Sequence, residues 1–214
     1  MKAVSLFSGG KDSFLASMIA MEQGYEIVYG VTIIPEEYSM MFHYPNASMS
    51  QLAASFLNFN IKYVPESKYE NFISDLSRSG INAIITGAIA SDYQKTRIEK
   101  LCYSEDVIVY SPLWRKKQEY VIEELILRKI GAIIVSVSAE GLTEKDLGSK
   151  IDERYYIHLL NLKKEYGINI AGEGGEYESF VMSLGNSNIK NLNYKKIWKN
   201  STGYLLLSQG NLNV

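Results

Sequence analysis

Between Ser8 and Ser13 the chain reads Ser-Gly-Gly-Lys-Asp-Ser, a run in which every residue type suits an anionic ligand. Gly9 and Gly10 carry no side chains to hold a ligand off, so main-chain N–H groups can approach phosphate oxygens closely. Ser8 and Ser13 supply hydroxyl donors, and Lys11 supplies a cation. Asp12 supplies a carboxylate of the kind that binds magnesium jointly with phosphate oxygens. The apolar stretch Ala3 to Phe7 precedes the run, and Phe14, Leu15, Met18 and Ile19 follow it at helical spacing. The run therefore falls where a strand gives way to a helix N-terminus, whose amides and dipole attract negative charge. The bland alternative is a tight turn capped by Ser or Asp, and the strand-loop-helix placement argues against it.

Two commoner nucleotide signatures are absent: there is no G-x-x-x-x-G-K-[ST], and the first turn is not G-x-G-x-x-G. GTPase, kinase and NAD-type readings lose support accordingly. Other reactive residues lie further on. His43 is one of two histidines and suits either proton transfer near neutral pH or a loop hydrogen bond. Tyr93, Lys95 and Arg97 follow Gly87 on a stretch with helical spacing, where a guanidinium suits phosphate oxygens; the alternative is a solvated helix face. Glu173, Glu176 and Glu178 flank Gly174 and Gly175, a pattern that a charged surface turn also produces. His158 reads as a helix residue without catalytic duty, and the single cysteine, Cys102, as a small buried side chain.

What must position these residues is legible as rhythm. Short β-rich runs recur at Ala3 to Phe7, Ile27 to Ile34, Ile61 to Val64, Ala83 to Thr86, Val107 to Tyr110 and Ala132 to Val137. Stretches at helical spacing separate them, and Gly24, Gly80 and Gly131 each stand before the next strand, where left-handed caps are expected. Such alternation predicts an α/β fold, a doubly wound parallel sheet over residues 1–138. After Ser138 the rhythm changes. Thr143 is expected to cap a helix through Leu147, and a second helix to run from Asp152 to Tyr166. Short strands then follow at Ser179 to Leu184, Lys195 to Trp198 and Tyr204 to Leu207. Residues 139–214 read as a smaller α+β region facing the substrate. In an open α/β sheet the turns after strands one, two, four and five share the carboxyl edge, so the candidate residues gather around one cleft.

The spelling SGGKDS resembles the pyrophosphate loop of the N-type ATP pyrophosphatases, which cleave ATP between its α and β phosphates. Further blocks are similar to one subgroup, the diphthine-ammonia ligases: Met41 to Asn46, Gly87 to Glu99, Pro112 to Trp114, Ala139 to Leu142, Leu147-Gly148 and Glu173 to Phe180. These blocks stand in the family's order and span most of the chain. The resemblance implies an adenine nucleotide alpha hydrolase-like fold that binds ATP and Mg2+ through Ser8, Gly9, Gly10, Lys11, Asp12, Ser13 and Gly87. Lys11, Asp12 and Arg97 take the catalytic roles, and Asp12 also holds the metal. His43, Tyr93, Glu173, Glu176, Tyr177 and Glu178 fall to substrate binding, because the implied substrates are cations: ammonium and the trimethylammonium of diphthine on translation elongation factor 2. The implied products are the amide, AMP and pyrophosphate, formed through an acyl adenylate. Alternatives are another ligase with this loop, an RNA-modifying thiolase or lysidine-type enzyme, or a nucleotide-binding sensor without turnover. One cysteine argues against a thiolase.

Composition limits the partners. With 214 residues, 46% of them hydrophobic, the chain can bury a core, and a formal charge of -2 gives no global reason to bind nucleic acid. A lone cysteine forms no intramolecular disulfide and suits a reducing cytoplasm. No apolar run is long enough for a bilayer, so a cytoplasmic protein without membrane contact is expected.

Overall fold

The computed structural model describes residues 1–35 and 46–209 and divides the chain into two compact units, Met1–Lys116 and Lys117–Val214. In the first unit the strands are β1 (Lys2–Leu6), β2 (Glu26–Ile34), β3 (Ile61–Pro65), β4 (Ala83–Ile85) and β5 (Ile108–Tyr110). Its helices are α1 (Lys11–Glu22), α2 (Ser50–Ala54), α3 (Tyr69–Ser74) and α4 (Asp92–Tyr103). The strands are all parallel and lie in the order β3-β2-β1-β4-β5. The chain winds outward from β1 in one direction and from β4 in the other. With right-handed crossovers this places the two helix pairs on opposite faces and makes β1/β4 the switch point.

Strand periodicity does the sorting. Residues two apart on β1 share a face, so Ser5 and Phe7 meet α1: Ser5 Oγ lies 2.8 Å from Ser17 Oγ, and the Phe7 and Phe14 rings are 6.1 Å apart. Phe59 adds an edge contact to Phe7 at 5.2 Å. Val4 faces the other way, into a cluster with Tyr69, Ile73 and Leu76 from the α3 side and Ile98 and Cys102 of α4. β4, buried at all three positions, needs no polar alternation because helices cover both faces. As expected, Cys102 is buried, and burial pushes its thiol up to about 12, leaving it inert.

The second unit has α5 (Gln118–Leu127), β6 (Ile130–Val137), α6 (Glu153–Tyr166), β7 (Tyr177–Leu184), β8 (Ser187–Asn188), β9 (Leu192–Lys199) and β10 (Thr202–Gln209). Its sheet is antiparallel, in the order β8-β7-β6-β10-β9. Sequence rhythm grouped Ala132 to Val137 with the parallel sheet; β6 instead lies at the centre of the antiparallel one, between β7 and β10. Helix α6 starts at the cap Asp152, whose carboxylate accepts from Tyr155 N at 2.9 Å, and stops at Gly167 with φ 73°. The three expected C-terminal strands form.

Two local expectations fail for identifiable reasons. Residues 143–147 make a turn rather than a helix: Asp146 accepts from Thr143 N at 2.7 Å and from Thr143 Oγ1 at 3.0 Å, and Gly148 N then bonds to Ile134 O. The bonds to Asp146 are cap-type bonds, but no helix follows because the chain turns at Gly148, whose φ is 88°, to pair with β6. Gly131 is a strand residue, and the left-handed turn before β6 falls on Lys129, with φ 56°. A Cβ at Gly131 would sit 2.0 Å from Ser183 Oγ.

Candidate functional site

At the carboxyl end of β1 the backbone turns through Gly9, whose φ of 82° lies in the left-handed region that favours glycine. The loop is internally braced: Ser8 N donates to Ser13 Oγ at 3.2 Å, Gly10 N to Ser8 Oγ at 3.2 Å, and Ser13 Oγ to Gly10 O at 3.1 Å. Ser17 Oγ donates to Ser13 O at 2.7 Å. The two serines expected to contact a ligand therefore also shape the loop itself. Gly10 is the N-cap of α1 in extended conformation, with no side chain over the helix end, so the first-turn amides open toward the strand edge.

Lys11 is only 2% exposed, and its Nζ lies 2.8 Å from Asp12 Oδ2. The cation and the carboxylate expected to handle phosphate and metal are thus paired with each other at the helix start. Gly87 completes the enclosure from the other side of the switch point. A Cβ there would lie 2.7 Å from both Asp12 C and Ser13 N. β4 and the first turn of α1 therefore meet main chain to main chain, which only glycine allows.

Hydroxyl groups hold this edge together where sequence reasoning named no residue. Thr86 Oγ1 lies 2.8 Å from Ser111 Oγ, and Thr86 N donates to Tyr110 O, tying the ends of β4 and β5. Thr32 Oγ1 donates to Phe7 O at 2.5 Å and lies 2.6 Å from Ser50 Oγ, tying the ends of β1 and β2. Thr86 and Ser111 are small polar residues just past apolar strands, the one signal that could have found them; Thr32 lies within β2 and Ser50 opens α2.

The α4 block is placed on a more open surface. Tyr93 is 62% exposed; Arg97 donates to its hydroxyl at 3.4 Å and to Glu70 at 3.1 Å. Lys95 pairs with Glu99 and sits 5.0 Å from the Trp114 ring centre, with Arg115 at 4.9 Å from the same ring. Arg115 also grips Asp92 with both carboxylate oxygens, at 2.9 and 3.0 Å. Arg97 thus bonds to Glu70 of α3 and to Tyr93 of its own helix, while Gly87 stands directly on the loop. His43, with the rest of the Met41 to Pro45 stretch, lies outside the described residues.

In the second unit the glutamate tract forms the turn leading into β7, and its members divide by role. Glu176 accepts from Asn169 N at 3.0 Å and from Gly174 N at 2.8 Å, clamping the turn. Tyr177 is buried, and its hydroxyl donates to Ile170 O at 2.6 Å, so the ring supports the turn from beneath. Glu173 is half-buried beside Gly174. Glu178 differs from the others: its Oε2 is buried with no hydrogen-bond partner among the described residues, and burial pushes its carboxyl up to about 7. His158, as expected, is a helix residue; its Nε2 lies 3.1 Å from Asp146. Among the described residues no group of three or more His, Cys, Asp or Glu side chains is arranged to hold a metal. None of the described helices is long and apolar enough to cross a membrane.

An open, doubly wound α/β domain with a braced anion-type loop at its switch point, followed by an antiparallel unit, defines the class. Residues 1–107 match the diphthamide synthase N-terminal domain and residues 105–212 the diphthamide synthase C-terminal domain. The chain belongs to this family. A relative from Schizosaccharomyces pombe named diphthine–ammonia ligase is 32% identical over 211 residues, 85% of this chain and 34% of that one, so the chain spans about a third of its length. The Bos taurus protein of the same name is 30% identical over 85% of this chain and 79% of its own, and the Homo sapiens one 29% over the same shares. A solved structure described as a predicted subunit of tRNA methyltransferase from Methanocaldococcus jannaschii matches with a TM-score of 0.48 at 17% identity, covering 88% of this chain and 100% of that one.

Proposed function

We propose that this protein is an ATP-dependent ligase that joins ammonia to a carboxylate, its acceptor being diphthine on translation elongation factor 2. The observation that carries the reading is the clasp of Gly87 on the first turn of α1, which leaves a side-chain-free wall beside the Ser8 to Ser13 loop. Such a wall suits a polyphosphate, because amides at a helix N-terminus contact its oxygens directly. The relatives' printed name supports the ligase chemistry and the acceptor class.

Two charged side chains at the loop divide the work. Lys11, already buried at the helix start, neutralises charge on the leaving pyrophosphate. Asp12 with phosphate oxygens fits magnesium's habit of taking one or two carboxylates and keeping several waters. When bound, magnesium would supply charge neutralisation between phosphates. The acceptor carboxylate attacks the α phosphate, forming an acyl adenylate and releasing pyrophosphate; ammonia then displaces AMP and the amide forms. The loop contributes position and charge stabilisation, so no protein nucleophile is required. The domain roles follow: the unit Met1–Lys116 serves the nucleotide and the unit Lys117–Val214 the acceptor side. The single cysteine, which forms no intramolecular disulfide, fits work in a reducing cytoplasm.

The test is product analysis. Chromatography of a reaction containing ATP, magnesium, ammonium and diphthine-bearing elongation factor 2 should show AMP and pyrophosphate in equal amounts with the amide. ADP and orthophosphate as the coupled products would overturn the adenylate route.

A further inference from the structure

We infer that the edge strand β9 is a docking site for another protein, which adds an extended acidic segment to the antiparallel sheet; the inference stands apart from the ligase reading. Residues 179–214 contain no Asp or Glu, where a stretch of that length would hold about four at the chain's average. Their charged side chains are Lys190, Lys195, Lys196 and Lys199, all exposed. This segment therefore carries +4, and the rest of the chain, which is -2 overall, carries -6. Three of the four lysines stand on β9.

β9 ends the strand order, and among the described residues its main-chain hydrogen bonds to other main-chain groups are those of the β10 ladder alone. In an antiparallel pair every second residue turns its N–H and C=O away from the partner, so β9 presents a row of donors and acceptors on its outer side. Pairing with β10 sorts the side chains. Lys196 and Trp198 stand opposite the buried Leu205 and Gly203 and turn toward the body of the unit. Lys196 Nζ donates to Glu144 O at 2.9 Å, and the Trp198 ring fills the space at Gly203, where an added Cβ would meet it at 2.4 Å. Lys195, Ile197 and Lys199 take the other face, opposite Leu206, Tyr204 and Thr202, with Leu206 and Tyr204 each 38% exposed. That face reads lysine, isoleucine, lysine at every second residue, beside an exposed apolar pair.

The pattern selects the occupant. Lysines on an edge strand keep like copies apart: in the two symmetric antiparallel registers with the greatest overlap, Lys195 would face Lys195 or Lys196 would face Lys196, and like charges directly opposite repel. Repulsion of a second copy accounts for the lysines on the strand but not for the loss of every carboxylate from residues 179–214. A segment added antiparallel to β9 sets its own residues directly opposite Lys195, Ile197 and Lys199, with Cβ atoms about 5 Å apart, so the complementary pattern is acid-x-apolar-x-acid. Main-chain pairing then supplies affinity, and the lysines choose the partner. Nucleic acid fits less well, because phosphates cannot complete a strand ladder, and the lysines are split between two faces with Lys196 tied to Glu144 O.

The test is NMR titration of the isotope-labelled full chain with the synthetic peptide Thr-Glu-Thr-Val-Thr-Glu-Thr, which carries this pattern, at up to about millimolar concentration. Amide shifts should saturate and centre on β9. Affinity should fall by about tenfold or more for the double variant Lys195→Glu/Lys199→Glu and change little for Lys196→Gln, whose side chain lies on the other face. N-methylation of alternate peptide residues, in one of its two phases, removes the amides that pair with β9 and should abolish the shifts; attraction to charge alone survives both phases. A peptide that leaves β9 unshifted, or one that binds equally in both methylated phases, would overturn the inference. So would an oligouridylate RNA that displaces the peptide, which assigns the strand to nucleic acid. Self-association seen by sedimentation in the parent and lost in the double variant would likewise overturn it, by giving the strand to a second copy.

Discussion

At Gly87 a side chain has no room, and this decides how the phosphate-loop hypothesis is best tested. A methyl group at this position would stand 2.7 Å from main-chain atoms of Asp12 and Ser13, none of which can swing aside as a side-chain tip would. Gly87→Ala must push β4 away from the start of α1, so overpacking of about 1–3 kcal/mol is expected together with a wider loop. Calorimetry should show ATP affinity lowered about tenfold or more in a variant that remains folded by circular dichroism. Parent-like ATP binding would remove Gly87 from the site. Glu178 supports a second residue-scale prediction. Its carboxyl rises on folding from an ordinary value near 4.5 to about 7, and desolvation is the cause. A raised carboxyl pKa means that the native state binds the proton more tightly than the unfolded chain. Any stability it confers is complete below about 4.5 and is lost as pH rises through about 7, at most about 3 kcal/mol. Glu178→Gln escapes this loss. Its melting temperature relative to the parent should therefore climb by several degrees between pH 5 and pH 8. A difference independent of pH would mean that the carboxylate is solvated.

Elements show which parts of the site a sequence can reveal. The Ser8 to Ser13 loop was legible because its signal is local: two glycines, two hydroxyls and a charged pair between a strand and a helix. The Thr86–Ser111 and Thr32–Ser50 pairs were not, because residues 25 and 18 positions apart become neighbours only through parallel pairing around β1. The glutamate tract was visible as a cluster, but its division between turn-forming Glu176 and buried Glu178 depends on which amides the turn presents. The same lesson applies at residues 143–147, where the cap signal at Thr143 is present but the chain turns at Gly148 to pair with β6. Two element-scale predictions follow. Asp152 caps α6 through Tyr155 N, so Asp152→Ala should cost about 1 kcal/mol in denaturant unfolding, with an unchanged slope. Glu176→Gln replaces one of two acceptor oxygens with an amide that faces an N–H donor, a clash worth about 1–3 kcal/mol. It should destabilise the turn and lower stability. A variant that lost acceptor turnover at full stability would assign Glu176 to substrate instead.

Across the whole molecule, family match and topology place the division in one neighbourhood. The two family models meet at residues 105–107, and the compact units meet between Lys116 and Lys117. The strand rhythm of the sequence runs past this point, because β6 is as apolar as a buried parallel strand. It is buried at six of its eight positions, since β7 and β10 flank it on either side. Periodicity cannot separate these cases; only pairing does. The junction itself carries three exposed cations in a row, Arg115, Lys116 and Lys117. Arg115 is held by Asp92 and by its own N–H bond to Ile89 O, and Lys117 caps α5. Lys116 N donates to Leu113 O, so all three are tethered locally, yet the stretch is exposed and non-helical and lies between compact units, where chains are the first to be cut. Limited trypsin digestion followed by intact-mass measurement should yield first a pair of complementary fragments that meet within Arg115–Lys117. Residues 36–45 and 210–214 contain no lysine or arginine, so they cannot supply a competing cut. An early cut inside the β9–β10 hairpin or within α4, ahead of any in Arg115–Lys117, would show that the weakest point of the chain is not the boundary between its two sheets.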